Sequence, residues 1–181
     1  MNKWALTITA SFLLLTGCME KSGTTGANSF NPTTAPAPGG TVIPKAKPTP
    51  FPAASDPYEV EQAVENGDVV NVHGKMYNLD KWKLFLANLE TGVANQVRIT
   101  QYTIEGDPIF YELVYDGAEV LAYTYDNSRD GFGSDAGRPS TICRGIAIEE
   151  NKESGPHYKL TGCDADIGNT FYLPSMEEGS P

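Results

Sequence analysis

One polar segment of the chain has the residue types and spacing of a calcium-binding loop. Four of its side chains carry oxygen atoms that could coordinate such an ion: Asp126, Ser128, Asp130 and Asp135. The first three stand at positions 1, 3 and 5 of the segment and Gly131 follows at position 6, which is the pattern of the first half of an EF-hand loop. The pattern ends at position 12, where Gly137 replaces the bidentate glutamate of that motif. Two interpretations stay open: a weak Ca²⁺ site, and an ordinary structured loop between strands.

A second segment with recognisable chemistry lies near the N-terminus and is typical of a lipoprotein signal. The string Leu15-Thr16-Gly17-Cys18 closes an apolar run that begins at Trp4. A helix over this run would be about 18 Å long, which is too short for a hydrocarbon core of about 30 Å. We therefore predict a signal peptide over residues 1–17 and a diacylglyceryl group, with palmitate, on Cys18. Two acyl chains would hold the protein on the outer face of the cell membrane. A plain secretory signal with a chance cysteine is the alternative.

The two remaining cysteines predict a disulfide. The chain has three cysteines, and the lipid would take one of them, which leaves Cys143 and Cys163 as a pair. Export permits such a bond. If residues 142–149 and 157–163 form a hairpin centred on Glu153, the two cysteines meet across the ladder and the apolar residues share one face. A single register therefore satisfies both demands.

Signatures of catalysis are sparse. The only histidines, His73 and His157, are far apart, and neither Ser128 nor Ser140 lies in a nucleophile elbow. No glycine-rich phosphate loop is present. We therefore predict no enzyme, no catalytic residue and no cofactor apart from the possible Ca²⁺; a hydrolase with an unrecognised site ranks third among the functions considered.

Composition divides the chain into an arm and a domain. Residues 18–56 are rich in proline, threonine and alanine, which predicts a disordered tether. Residues 57–173 are expected to form a single globular domain, followed by a flexible tail over residues 174–181. The net charge of −10 argues against a nucleic-acid partner. It does not identify a cationic partner, because a solvated acidic surface is the usual cause of such a balance.

Local patterns predict two helices before the strands begin. Asp56-Pro57-Tyr58-Glu59 has the form of a helix start, and Gly67 could end that helix. A second helix is expected from Asn78 to Gly92. Its inward-facing stripe would be formed by Leu79, Trp82, Phe85, Leu86 and Leu89.

The following residues predict an antiparallel sheet. Strands over 97–105 and 109–115 would flank a turn at 105–108, and Asp116-Gly117 is a strong two-residue hairpin turn that would place Tyr115 opposite Ala118. The fold class expected is α+β, with two N-terminal helices packed on an antiparallel sheet of about five strands. A disulfide would staple its C-terminal hairpin.

Three strings of the chain resemble the motifs of one family. They are the run VRITQYTIEGDPI at residues 97–109, the pair Asp126-Asn127-Ser128 and Phe132-Gly133-Ser134, and the two late cysteines. The chain resembles an uncharacterised lipoprotein family of Bacillus-type Gram-positive bacteria over roughly residues 60–165. The resemblance implies a domain of unknown function on the outer face of the membrane. It brings no activity or site residue to transfer.

Two functions follow as expectations. The first is a non-enzymatic binding module at the cell surface, which would bind a protein, a peptide or a wall polymer. Its binding face could be formed by strand tyrosines, although strand tyrosines more often lie in the core: Tyr102, Tyr111, Tyr115, Tyr123 and Tyr125. The alternative is a calcium-dependent sensor or ligand-binding lipoprotein that uses the loop at 126–135.

Overall fold

The computed structural model describes residues 49–134 and 137–175, all of which belong to one compact unit of the chain. Within these residues there are two α-helices and one 3₁₀ turn: α1, Val60–Glu65; α2, Leu79–Thr91; and the turn Asp166–Thr170. The same residues contain nine strands: β1, Val69–Val72; β2, Lys75–Tyr77; β3, Asn95–Tyr102; β4, Pro108–Tyr115; β5, Leu121–Asp126; β6, Ser140–Cys143; β7, Gly145–Glu149; β8, His157–Thr161; and β9, Leu173–Pro174.

The strands form two sheets. The larger has six strands in the order β2-β1-β3-β4-β5-β6, and the smaller has three in the order β7-β8-β9. All neighbours are antiparallel except β1 and β3, which run parallel with Val69 opposite Ile99. Each face of the larger sheet carries an apolar cluster, because successive side chains of a strand point to opposite faces.

The predicted fold class, two N-terminal helices packed on an antiparallel sheet of about five strands, is wrong. The regular structure of the described residues is mostly sheet, with α2 as their one main helix, while α1 has only six residues. Asp56 does not cap α1, because the helix begins at Val60 with Glu59 at its N-cap. Gly67 ends the helix, as predicted, in a Schellman motif: Gly67 has φ +83° and donates to Val64 O, and Asp68 N donates to Ala63 O. This turn sends the chain into β1.

Helix α2 agrees with its predicted bounds. Asn78 stands at its N-cap and Gly92, with φ 70°, at its C-cap. Trp82 and Phe85 are fully buried between the sheets, and the Trp82 ring centroid lies 5.1 Å from that of Tyr158 on β8. The core role predicted for this stripe is therefore confirmed. Among the described helices, none has the length and apolar character needed to cross a membrane.

The hairpin predicted at Asp116-Gly117 has a different register. Tyr115 pairs with Leu121, not with Ala118. The reason is the Asp116 carboxylate, which accepts hydrogen bonds from the backbone N–H groups of Ala118 (2.8 Å) and Val120 (3.1 Å) and keeps these residues in the connection.

The new register buries the strand tyrosines. Tyr111 pairs with Tyr125, and Tyr123 pairs with Leu113. Four of the five strand tyrosines named above are buried, and Tyr125 is half-buried. The interpretation of these residues as core is confirmed, and they do not form an exposed binding face.

The predicted disulfide is present between Cys143 and Cys163. The predicted hairpin register is also confirmed, because Ile146 pairs with Leu160 and Glu149 with His157. The single strand expected over 142–149 is divided, however, since β6 belongs to the larger sheet and β7 to the smaller one. The disulfide therefore joins the end of the larger sheet to the chain that follows β8.

Candidate functional site

A buried ion pair lies on the outer face of the larger sheet, the face that α1 covers. Asp68 and Arg98 are 2% and 5% exposed, and Arg98 Nε lies 2.9 Å from Asp68 Oδ1. The other carboxylate oxygen accepts hydrogen bonds from the Tyr58 hydroxyl (2.8 Å) and from Thr100 Oγ1 (2.7 Å). Burial raises the pKa of Tyr58, which keeps its hydroxyl protonated as a donor to Asp68. Arg98 is thus held in one orientation.

The segment that precedes α1 lies across this same face. Residues 49–55, called the strap below, run beside β3. Arg98 Nη1 donates to Pro52 O (2.8 Å), and Arg129 donates from Nη2 to Ala54 O (3.0 Å) and from Nη1 to Ser55 O. The Phe51 ring centroid lies 5.6 Å from the guanidinium carbon of Arg98. Two arginine side chains therefore hold the backbone of the strap.

The strap is the last part of the predicted tether. Residues 18–48 of that tether, with Cys18 and the signal peptide, lie outside the described residues, as does the tail from residue 176 onward. Thr49 O accepts a hydrogen bond from Gln96 Nε2 (2.6 Å) near the start of β3. Residues 49–55 are in contact with the domain along their whole length.

A cleft of about 390 Å³ lies between the strap and the sheet. This volume is at the lower end of the range of roughly 300–1,000 Å³ found for small-ligand pockets. Besides the strap, the cleft is lined by three arginines, two carboxylates and one aromatic ring: Arg98, Arg129, Arg138, Glu112, Asp126 and Phe110. We call it the arginine cleft.

The charge of the arginine cleft differs from that of the chain as a whole. The net charge of the chain is −10, yet three of the four arginines in the sequence line this one cleft. The fourth, Arg144, lies at the surface 3.5 Å from Asp164. A guanidinium group presents a planar fork of donors that matches carboxylate and phosphate groups. The cleft therefore concentrates the side chains best suited to bind an anionic group.

The three guanidinium groups differ in mobility. Arg98 and Arg129 lie 5.5 and 5.7 Å from the Phe110 ring centroid and are fixed by the strap. Arg138 stands at the rim, is 59% exposed, donates from Nη2 to Glu112, and has Nε 3.7 Å from Asp126 Oδ2. Because an exposed ion pair is weak, Arg138 can exchange these partners for a ligand. Each guanidinium has five N–H donors, of which the contacts above use only some.

Of the predicted calcium residues, Asp126 lines this cleft. The Asp126 carboxylate accepts from Ser128 N (3.1 Å) and Ser128 Oγ (2.7 Å), and the Asp130 carboxylate accepts from two backbone N–H groups that follow it (3.1 and 2.8 Å). These are Asx turns within the loop. Asp135 lies outside the described residues. In the described part of the chain, no group of three or more His, Cys, Asp or Glu side chains is arranged to hold a metal. Calcium binding stays a prediction.

The two histidines lie in different parts of the fold. His73 follows β1, and its Nε2 is 3.0 Å from Thr103 O. His157, on β8 in the smaller sheet, is buried, and its Nε2 is 3.8 Å from a Glu149 carboxylate oxygen. The structure therefore does not bring the two histidines together.

Comparison with known proteins assigns the chain to a family. A family model described as a domain of unknown function, DUF4362, matches residues 66–159, just over half of the sequence. The chain belongs to this family. The matched part of the DUF4362 domain runs from the end of α1 into β8 and contains the three arginines of the cleft, but not the strap. No curated protein and no solved structure matches the chain.

Sequence reasoning missed the arginines of this DUF4362 domain. One signal was available: Arg98 stands between Val97 and Ile99 in a strand that is otherwise rich in apolar residues. A charged side chain in such a strand is buried only when it has a partner, so Arg98 could have been identified as a member of a buried ion pair. Arg129 and Arg138 lie in a polar loop and carried no comparable signal.

Proposed function

We propose that this DUF4362 domain is a lipid-anchored, extracytoplasmic and non-enzymatic binding module whose ligand site is the arginine cleft. The Leu15–Cys18 string supports the anchor, and the proline-rich residues that follow it support a tether. The motifs at 97–109 and 126–134 support a lipoprotein of the Bacillus type. The observation that carries the binding function is the gathering of three of four arginines in one cleft of an acidic protein.

The lining of the cleft selects a ligand class. Glu112 and Asp126 stand beside the guanidinium groups, so the cleft can accept N–H donors as well as bind an anion. The acidic chain would repel a long polyanion. A short peptide with a free carboxylate is anionic, carries N–H donors and is not a long polyanion. Its carboxylate would bind Arg138, and its N–H groups would donate to Glu112 and Asp126.

The test is binding of random tripeptides with free C-termini, compared with the same pool in amidated form. The protein form begins at Met19, and the readout is the set of arginine Nε–H resonances in NMR spectra. Only the free carboxylates should shift the Arg138 signal. Losing a charge-assisted hydrogen bond of about 1.5–3 kcal/mol should weaken binding roughly 10- to 150-fold in Arg138→Gln.

Arg144→Gln is the matched control, because it removes the one arginine outside the cleft. It should bind as the wild type does. Equal shifts with the amidated pool, equal losses in the two variants, or no shift at any cleft arginine would each refute the proposal.

A further inference from the structure

Two large apolar side chains stand at the tips of neighbouring loops. Ile104, in the turn between β3 and β4, is 87% exposed, and Phe132, in the loop after β5, is 81% exposed. These are the two highest exposures among the large hydrophobic residues of the described chain. Single exposed apolar residues are common on protein surfaces, whereas these two project from loops that are hydrogen-bonded to each other. We call Ile104 and Phe132 the loop tips.

Hydrogen bonds tie the two loops to each other. The Asp107 carboxylate accepts from Gly131 N of the second loop (3.0 Å), while Asp107 N donates to Thr103 Oγ1 (3.1 Å). The Asp130 carboxylate holds the backbone N–H of Phe132 at 3.1 Å. Both tips are therefore presented from turns that are already ordered, which reduces the entropy lost when they bind a partner.

The charges around the loop tips favour a basic partner. Among the described residues, three carboxylates belong to the two loops: Glu105, Asp107 and Asp130. The one arginine of the second loop before Gly131, Arg129, is turned to the strap carbonyls. An anionic lipid surface would be repelled by these carboxylates, whereas basic side chains at the rim of a protein pocket would be attracted.

The strap separates the loop tips from the point where the tether joins the domain. Thr49 is bonded to Gln96 near the start of β3, whereas Ile104 follows the end of that strand. The tether therefore joins at one end of the larger sheet and the tips project at the other. A membrane anchor attached through the tether and a bilayer contact through the tips would have to act from opposite ends.

We propose that the loop tips are a docking site for a protein that offers an apolar pocket rimmed by lysine or arginine side chains. Phe132 fills the pocket, Ile104 packs beside it, and Glu105 pairs with the basic rim. The site does not depend on a ligand in the arginine cleft, because neither tip lines that cleft.

The test is photo-cross-linking of the full-length protein in the cells that make it, with p-benzoylphenylalanine placed at residue 132 or 104. The control position is Ile148, which is 54% exposed on the smaller sheet. Both tips should give the same protein adduct, and Ile148 should not. Peptide mapping should locate the bond in an apolar segment flanked by basic residues. Glu105→Lys should reduce the yield of adduct several-fold.

A second variant distinguishes docking from folding. Phe132→Ser removes the apolar tip and keeps the backbone bonds to Asp130, so its melting temperature should equal that of the wild type. With the cross-linker at residue 104, this variant should lose ten-fold or more of the adduct, as expected when a buried aromatic anchor is removed. Adducts to lipid alone, adducts between two copies of this chain, unequal adducts from the two tips, or no adduct would each overturn the proposal.

Discussion

Two arginine–aspartate pairs in this protein differ mainly in burial. Comparing their contributions to stability tests whether the buried pair holds the outer face of the larger sheet together. Asp68–Arg98 is almost inaccessible to solvent, whereas Asp164–Arg144 is 60% and 58% exposed. Asp68→Asn leaves the Arg98 charge buried without a counter-charge, and it weakens the bonds from Tyr58 and Thr100. Removing one partner of a buried pair costs about 3–5 kcal/mol, whereas an exposed pair contributes about 0–1 kcal/mol.

The assay is urea unfolding of a form that begins at Met19, in which Trp82 is the only tryptophan and reports on the core. At a slope of about 2 kcal/mol per molar urea, Asp68→Asn should lower the midpoint by roughly 2 M. Asp164→Asn should lower it by no more than about 0.5 M, and 0.5 M NaCl should remove that small effect because exposed pairs are screened.

Two results of the urea titrations would refute this interpretation of the buried pair. A midpoint for Asp68→Asn within about 0.5 M of the wild type would show that Arg98 reaches solvent or another anion after the change. Equal shifts in the two variants would show that burial does not decide the contribution of these pairs. Either result would remove the basis for treating Arg98 as a fixed wall of the arginine cleft.

Three other predictions follow from the same structure. Replacing both Cys143 and Cys163 with alanine should lower the free energy of unfolding by about 3 kcal/mol in the chain-entropy model, because the disulfide joins residues 20 positions apart. Urea titration under oxidising conditions measures this change, and an unchanged midpoint would contradict it. Burial raises the pKa of Tyr102, Tyr111 and Tyr123, so these phenols should ionise only as the protein unfolds. Because the unfolded chain loses those protons from about pH 10 upward, the free energy of unfolding should fall as the pH rises past that value. A titration at 295 nm in which all tyrosines of the folded protein ionise near pH 10 would refute the assignment. If the loop at 126–135 binds Ca²⁺ with a Kd of about 1 mM, 10 mM CaCl₂ should raise the free energy of unfolding by about 1.4 kcal/mol and the melting temperature by several degrees. The wild type should show this rise and Asp126→Ala should not. Identical melting of the wild type with calcium and with chelator would show that the loop does not bind the ion.

The accuracy of sequence reasoning depended on how many independent constraints met at one place. The C-terminal hairpin was predicted correctly because the cysteine pair and the apolar alternation required the same register. At Asp116-Gly117 only the turn composition was available, and the Asp116 carboxylate extends the connection by bonding to Val120 N. The start of the first helix was predicted wrongly for a tertiary reason, although a helix is present and Gly67 ends it as expected. Tyr58 is 3% exposed and bonds to Asp68, so residues 56–59 stay outside the helix although their local signals favour a helix start.

The candidate site could not be assembled from local patterns. Its walls come from the strap, β3, β4 and the loop after β5, and the pairing of β1 with β3 that brings Asp68 to Arg98 joins segments 30 residues apart. The strap itself was assigned to the tether on composition. Its carbonyl groups are bound by Arg98 and Arg129, which are distant in sequence and which its composition does not reveal.

The course of the strap also determines how the domain would bear a mechanical load. Consider a pull that is applied at Thr49, at the Gln96 end, and is directed along the strap. The bonds at Thr49, Pro52 and Ala54 are then strained together in shear, instead of being broken one after another by peeling. Under such a pull, the bonds of the strap would carry the force before it reaches α1 and β1.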